Sequence, residues 1–213
     1  MSEFKAPQDN FPGTLIIISS PSGAGKTTIT KKLLEIYNDL TLSVSVTTRP
    51  KRAGEIEGKD YFFIEEQEFH ELAENNELLE HATVFDNHYG TPKKFVLEQV
   101  RQGKNVIFDI DWQGAREIVK HSEFHIVTIF ILPPSIAALK ERLLKRGLDS
   151  DEVIKNRMVR AKSEISHYRE YKYVVLNDDM EEALGKIKTI IDFYNLRNIK
   201  AENFKGFIEK ELV

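Results

Sequence analysis

The chain has 213 residues, of which 41% are hydrophobic and 30% are charged, values typical of a globular protein with a substantial buried core. Its net charge of −4 argues against a general nucleic-acid binder, because such a protein needs a broad basic field. The absence of cysteine excludes disulfides and thiolate metal sites and agrees with a reducing compartment. The N-terminal residues lack the apolar segment of a signal peptide, and no apolar run could span a bilayer. We therefore expect a cytoplasmic protein without a membrane or nucleic-acid partner.

Apolar runs and helical patterns alternate along most of the chain. Runs without hydrophobic alternation predict buried strands at Leu15–Ser19, Asn105–Ile110, His125–Leu132 and Tyr171–Asn177. Helical periodicity predicts helices at Thr27–Tyr37, Trp112–Lys120, Ser135–Arg146, Asp151–Glu170 and from Met180 to about Arg197. Buried strands separated by helices indicate a parallel sheet that is covered on both faces. The predicted fold is α/β with a three-layer core.

Residues 41–92 interrupt this alternation. The segment "LSVSVTT" alternates like a half-exposed strand, a polar loop follows, and "YFFI" and "LLEHATVF" flank a short helix. We predict an inserted α+β lobe here, on a core formed by residues 14–40 and 93–196. A smaller insertion at about 142–160 predicts a helical lid. Residues 1–13 are expected to form a flexible N-terminal tail, and residues 197–213 a C-terminal extension whose weak amphipathic pattern leaves a homo-oligomer open.

A phosphate-binding loop is predicted between the first strand and the first helix. Backbone N–H groups in a glycine-rich loop, followed by a helix N-terminus, bind anions such as the phosphates of ATP. The side chain of Lys26 can reach the β- and γ-phosphates, and the Thr27 hydroxyl can serve Mg²⁺. Ser20 departs from the usual pattern, which begins with glycine, and an ordinary strand–helix turn is the alternative. The predicted ATP-binding residues are Ser20, Pro21, Ser22, Gly23, Ala24, Gly25, Lys26, Thr27 and Thr28.

Three cationic clusters stand out in this acidic chain. Arg49, Lys51 and Arg52 lie in one loop, while Arg142 with Arg146 and Arg157 with Arg160 each share a helical face. Phosphoryl transfer between two phosphorylated molecules needs such cations, because donor and acceptor repel each other. An acceptor phosphate oxygen is already ionised near neutral pH, so no catalytic base is required. A solvated loop is the alternative for the cluster around Arg49.

Several segments together resemble the guanylate kinase family. They are "SPSGAGKTT", "SVSVTTRPKRAGEIEGKDYFF", "NNELLEHATVFDNHYGT", "FDIDWQGA", "LPPSIAALKERLLKRG" and "VLNDD", in order from about residue 14 to 190. The resemblance implies a P-loop NTPase core with an NMP-binding lobe and a lid. It also implies phosphorylation of GMP, and of dGMP, to the diphosphate with ATP as donor and Mg²⁺ as cofactor, in purine nucleotide metabolism.

The resemblance also implies roles for individual residues. The GMP phosphate would be held by Arg49, Arg52, Tyr61 and Tyr89. Guanine would be read by Ser45, Glu80 and Thr91, with Asp111 nearby, and the two hydroxyls would donate to guanine O6. The lid and the following helix would supply Arg142, Arg146 and Arg157 to catalysis, alongside Lys26 and Arg49. Asn177 would lie near the ATP base or ribose.

The roles of two aspartates after a predicted strand are left open. Asp109 is expected near a magnesium-bound water, together with Thr27. Asp111 suits the cap of the helix that opens at Trp112, as well as the guanine site.

Two other functions are alternatives for the whole chain. A guanylate-kinase-like domain can serve as an inactive protein-interaction module, although such domains lack a complete phosphate loop. A P-loop kinase with another phosphorylated acceptor is the second alternative, because a sequence does not show that Ser45, Glu80 and Thr91 converge.

Overall fold

The computed structural model describes residues 12–84, 86–146 and 151–196, with the backbone alone at residues 84, 146, 151 and 152. The C-terminal extension, all but residues 12 and 13 of the N-terminal tail, and residues 147–150 of the predicted lid lie outside the described residues. The elements follow in the order β1 (Thr14–Ser19), α1 (Lys26–Ile36), β2 (Leu40–Leu42), β3 (Val46–Thr47), β4 (Phe62–Phe63), α2 (Glu66–Glu74), β5 (Leu78–Val84), β6 (Asn87–Pro92), α3 (Lys93–Arg101), β7 (Asn105–Asp109), α4 (Trp112–Ile118), β8 (His125–Leu132), α5 (Ile136–Arg146), α6 (Asp151–Ser166), a 3₁₀ turn (His167–Glu170), β9 (Tyr173–Leu176) and α7 (Met180–Leu196).

The predicted parallel sheet is confirmed. It has five strands in the order β2-β7-β1-β8-β9, with every pairing parallel. Both faces are buried: Ile16 and Ile18 of β1 pack towards α1 and α7, whereas Leu15 and Ile17 pack towards α3 and α4. This burial on both faces explains why the strands lack hydrophobic alternation.

A second sheet of four strands, in the order β4-β3-β6-β5, forms the inserted lobe. The segment "LSVSVTT" is not one strand, because its first residue, Leu42, pairs with β7 in the five-stranded sheet, whereas Val46–Thr47 pair in the second sheet. Thr41 and Leu42 therefore belong to the core sheet, and the chain changes sheets after residue 42.

Two elements lie outside those that periodicity predicts. The strand β6 reads "NHYGTP", a polar segment with glycine and proline, and it forms because β3 and β5 pair with it on its two sides. The helix α3 is short, and its buried apolar side consists of Val96 and Val100, which pack on β7. No helix within the described residues is both long and apolar enough to cross a membrane.

We predict that Asn105→Ala lowers the free energy of unfolding by about 1–3 kcal/mol, because it leaves the buried Thr14 N–H without an acceptor. The Asn105 side chain, 2% exposed, accepts from Thr14 N at 2.9 Å and donates to Asp39 and Asn195. Urea denaturation measures the effect. Thr189→Ala, at an exposed position of α7, is the control and should change the free energy of unfolding by less than about 0.5 kcal/mol. Equal effects of the two substitutions would contradict the prediction.

Candidate functional site

The loop between β1 and α1 has the backbone of an anion site. Gly23 and Gly25 have φ angles of 93° and 101°, in the left-handed region where a side chain is strained. Gly25 caps α1, and a Cβ atom there would lie 2.4 Å from Nδ2 of Asn177. Ser20, in place of the first glycine, has no positive φ angle and therefore needs no glycine. The loop keeps its shape because glycine stands at the two positions that require it.

Asn177 supports the loop from beneath. It is 1% exposed, and its amide donates to the Ala24 carbonyl oxygen at 2.7 Å. Asn177 does not line the cavity, and its expected place near the ATP base or ribose stays a prediction. Arg142 lies beside it: its guanidinium donates to the Asn177 carbonyl at 3.0 Å and is not part of the cavity lining.

Lys26 and Asp109 meet at the carboxyl edge of the sheet. Lys26 begins α1, and its Nζ lies 2.5 Å from Asp109 Oδ1 and 3.3 Å from the Ile110 carbonyl oxygen. Both side chains line the cavity, as does Thr27, whereas Ala24 and Thr28 do not. Asp111 caps α4 by accepting from the amides of Gln113 and Gly114 at 3.0 and 3.1 Å. Asp111 also lines the cavity, so both expectations for this residue are compatible with its position.

A second cationic group lies in the inserted lobe. Arg49 is 9% exposed and donates to the Pro50 carbonyl and to Glu55 Oε1, each at 2.7 Å. Its guanidinium lies 5.4 Å from the ring centre of Tyr61, within range for a cation–π interaction. Burial opposes ionisation of Glu55, but hydrogen bonds from Arg49 and the Arg52 amide hold the pKa of this carboxyl below its usual value. Arg52, Tyr61 and Tyr89 line the same cavity.

Glu80 is a buried carboxyl at the end of the cavity. It is 4% exposed, and burial raises its pKa to about 7 against a hydrogen bond from Thr91, while the nearby charge of Asp111 adds to the rise. The Thr91 hydroxyl donates to Glu80 Oε1 at 2.7 Å, and Thr91 itself is fully buried. This contact joins two of the residues that the resemblance assigns to guanine, and the donation from Thr91 to guanine O6 stays a prediction. Ser45 lines the cavity as expected.

Gly114 makes room for this carboxyl. A Cβ atom on Gly114 would lie 2.5 Å from Glu80 Oε2. The helix α4 thus approaches β5 closely where Glu80 enters the cavity.

The helix α6 closes the cavity over the phosphate loop. Arg157 donates to the Ser22 hydroxyl at 3.2 Å, and Glu164 accepts from the Ser22 amide at 3.2 Å. Burial raises the pKa of Glu164 above its usual value, opposed by the hydrogen bond from Ser22. The side chain of Arg146 lies outside the described residues.

The sequence interpretation missed four cavity residues: Glu55, Ala82, Ile110 and Glu164. For Glu164 a signal exists, since it follows Arg157 and Arg160 at helical spacings of seven and four and so shares the face of that cationic cluster. Glu55 lies between cations in a polar loop, where a paired carboxylate is not distinguishable from a solvated one.

One cavity of about 390 Å³ joins these groups. The phosphate loop and Lys26 line one part of this cavity, and Arg157 and Arg160 line a second part. The inserted lobe lines the third part with Arg49, Arg52 and Glu80. A parallel α/β core with this loop, and a lobe carrying a second cationic site, define a P-loop protein of the nucleoside monophosphate kinase class.

Comparisons with known proteins identify the family. The guanylate kinase family model matches residues 12–194. A guanylate kinase of Novosphingobium aromaticivorans is 50% identical over 92% of this chain and 89% of the relative, and one of Rickettsia conorii is 53% identical over 85% and 79%. The crystal structure of guanylate kinase from Anaplasma phagocytophilum is similar with a TM-score of 0.71 and 39% identity, over 91% and 89% of the two chains. The chain belongs to the guanylate kinase family.

We predict that the unliganded protein loses stability as pH rises from 5 to 8, and that Glu80→Gln removes part of this loss. The folded-state pKa of Glu80, about 7, exceeds the usual 4.5. The stabilising contribution of Glu80 to the free energy of unfolding is therefore complete below pH 4.5 and is lost as the pH rises through 7. Between these two pH values, Glu80 changes the free energy of unfolding by at most roughly 3 kcal/mol. Urea denaturation across this range measures it.

Glu68→Gln, on the exposed surface of α2, is the matched control and should keep the wild-type pH dependence. Identical pH profiles for Glu80→Gln and the wild type would show that Glu80 is not a buried, raised-pKa carboxyl.

Proposed function

We propose that the protein transfers a phosphoryl group from MgATP to GMP, and also to dGMP, which carries the same base. Membership of the guanylate kinase family supports the reaction. The observation that carries the proposal is the single cavity that joins a phosphate loop to the buried Glu80.

Glu80 is proposed as the residue that selects guanine. A carboxylate accepts two hydrogen bonds, from guanine N1–H and from the 2-amino group, and the Ser45 hydroxyl can donate to O6. The Thr91 hydroxyl fixes the orientation of the carboxyl. Adenine offers an acceptor at N1 and no 2-amino group, so it would leave the buried carboxylate unpaired, a mismatch that costs about 10⁴–10⁵ in selectivity. Guanine binding favours the ionised form and so lowers the pKa of Glu80.

Arg49, Arg52, Tyr61 and Tyr89 are proposed to hold the acceptor phosphate. Arg49 is fixed by Glu55 and by aromatic rings before any substrate binds, which reduces the ordering needed on binding. The acceptor oxygen is already ionised near neutral pH, so the protein needs cations and alignment rather than a base.

The phosphate-loop amides and Lys26 are proposed to hold the donor phosphates, with Arg157 and Arg160 above them. These cations stabilise the charge that spreads over the oxygens of the transferred group. Glu164 accepts from the Ser22 amide, so a donor phosphate that uses this amide must displace the carboxylate. Asn177 is proposed to act through the loop, whose backbone it holds at Ala24, and Arg142 is proposed to act through Asn177, whose carbonyl it holds.

The donor set beside Lys26 fits Mg²⁺. The Thr27 hydroxyl and the carboxylates of Asp109 and Asp111 line one wall of the cavity, and oxygen ligands are those that Mg²⁺ prefers. Thr27 and Asp109 would hold the ion, in part through water. When bound, the ion would neutralise part of the negative charge of the phosphates.

The proposed reaction is tested by ADP production from MgATP with GMP, dGMP, AMP, CMP or UMP as acceptor. We expect turnover with GMP and dGMP alone, and Lys26→Met should lower kcat by about 10²–10³-fold because it removes the cation at the transferred group. Lys31→Met, on the exposed face of the same helix, is the matched control and should retain wild-type turnover.

Turnover with another acceptor would refute the role of Glu80 and leave the P-loop mechanism standing. The absence of turnover from folded protein would refute the proposed reaction and favour an interaction module.

We predict that Gly114→Ala raises KM for GMP at least about tenfold, with little change in KM for ATP. The added Cβ would lie 2.5 Å from Glu80 Oε2 and would displace the carboxylate that reads guanine. Gly185→Ala is the matched control, since a Cβ there has no neighbour within 4 Å. Steady-state kinetics with each substrate varied in turn measures the difference, and equal increases in both KM values would contradict a specific effect on guanine.

A further inference from the structure

Three metal-ligating side chains meet on the inserted lobe, outside the nucleotide cavity. Glu66 and His70 are four residues apart on α2 and so share one helical face, and His88 faces them from β6. His88 neighbours Tyr89 in sequence, but successive residues of a strand point to opposite faces of its sheet. Tyr89 lines the cavity, and none of Glu66, His70 and His88 does. The cluster therefore lies on the face of the lobe that points away from the cavity.

The distances suit a single small cation. The Nε2 atoms of His70 and His88 each lie 3.7 Å from the same oxygen, Glu66 Oε1, and the ligand atoms of the three residues lie within 4.8 Å of one another. Ligands of a tetrahedral Zn²⁺ ion, with bonds of about 2.0 Å, are separated by about 3.3 Å. The two histidine–glutamate distances exceed this separation by a few tenths of an ångström, and the exposed side chains of Glu66 and His70 are free to rotate towards His88.

His88 is already held in the orientation of a ligand. Its ring stacks on Phe69 with 5.0 Å between ring centres, and its Nδ1 lies 3.0 Å from the Thr83 hydroxyl. When Nδ1–H donates to this hydroxyl, the lone pair on Nε2 is left for a metal ion. Metal-binding histidines use their second ring nitrogen in this way, because the outer hydrogen bond fixes the tautomer and the ring.

We propose that Glu66, His70 and His88 bind one first-row divalent transition-metal ion, with Zn²⁺ as the best match. Two imidazoles and one carboxylate form a ligand set that suits Zn²⁺ and leaves the fourth position to water. Mg²⁺ demands six oxygen ligands and is not retained by imidazole nitrogen. The site is distinct from the proposed catalytic Mg²⁺ site both in place and in ligand chemistry.

A bound ion would join α2 to β6, which otherwise meet through side-chain packing around Phe69. Because the three ligands come together only in the folded lobe, the ion stabilises the folded state by mass action. The unfolding temperature is then expected to rise with Zn²⁺ concentration.

The test is calorimetric titration of the full chain, free of affinity tag, chelator and nucleotide, with ZnCl₂ in excess MgCl₂. We expect one equivalent of Zn²⁺ per chain and more than about tenfold weaker binding in His70→Gln and in His88→Phe. Thr83→Val should weaken binding by about 10–100-fold, as the loss of an outer hydrogen bond to a ligand does in known metal sites. His88→Phe keeps an aromatic ring beside Phe69, so loss of binding is not loss of packing. Co²⁺ should give the visible absorption of a low-symmetry four-coordinate ion.

His121→Gln is the matched control, since His121 also lies beside a carboxylate, Glu123 at 3.2 Å, but belongs to no group of three ligands within the described part of the chain. It should bind Zn²⁺ as the wild type does. The proposal is overturned if the wild type binds less than one equivalent, or if the bound equivalent survives both His70→Gln and His88→Phe. Unchanged affinity in Thr83→Val would overturn the positioning role of Thr83.

Discussion

The parallel pairing of β1 with β7 is the constraint on which the site depends. The register sets Ile18 beside Asp109, so the chain leaves both strands at the same edge of the sheet. The phosphate loop therefore begins next to the residues that follow β7, where Ser19 and Lys26 both donate to the Ile110 carbonyl. Ligands bind outside the carboxyl ends of the strands in open α/β sheets for this reason.

The residues that follow β7 also contact the inserted lobe. Asp111, two residues beyond β7, caps α4, and three residues later Gly114 leaves the space that the Glu80 carboxyl occupies. A single turn of backbone thus connects the predicted donor and acceptor sites. A shift of this turn would move residues at both sites, because the protein interior is close-packed.

Carboxylates contact the cationic groups and the phosphate loop of the cavity. Asp109 pairs with Lys26, Glu55 pairs with Arg49, and Glu164 accepts from a phosphate-loop amide. These contacts offset the mutual repulsion of clustered cations in a chain whose net charge is −4. Substrate phosphates would meet cations that are already held in place, and Glu164 is the carboxylate that a donor phosphate would displace.

The sequence by itself determined the local features of this protein. Buried strands, amphipathic helices and the glycine-rich loop each depend on neighbouring residues, so periodicity and composition predict the α/β core and the loop. The resemblance to guanylate kinases pointed to Glu80 and Arg49, which periodicity alone treats as solvated.

Only the tertiary structure decided which residues of different elements contact one another. It assigned Asn177 to the support of the loop, the Thr91 proton to Glu80, and Glu164 to the Ser22 amide, and it brought His88 to Glu66 and His70. It also formed β6 from a polar segment that has no strand pattern of its own. Each of these outcomes depends on a contact between different elements of the fold, and such contacts leave no periodicity in the sequence around either partner.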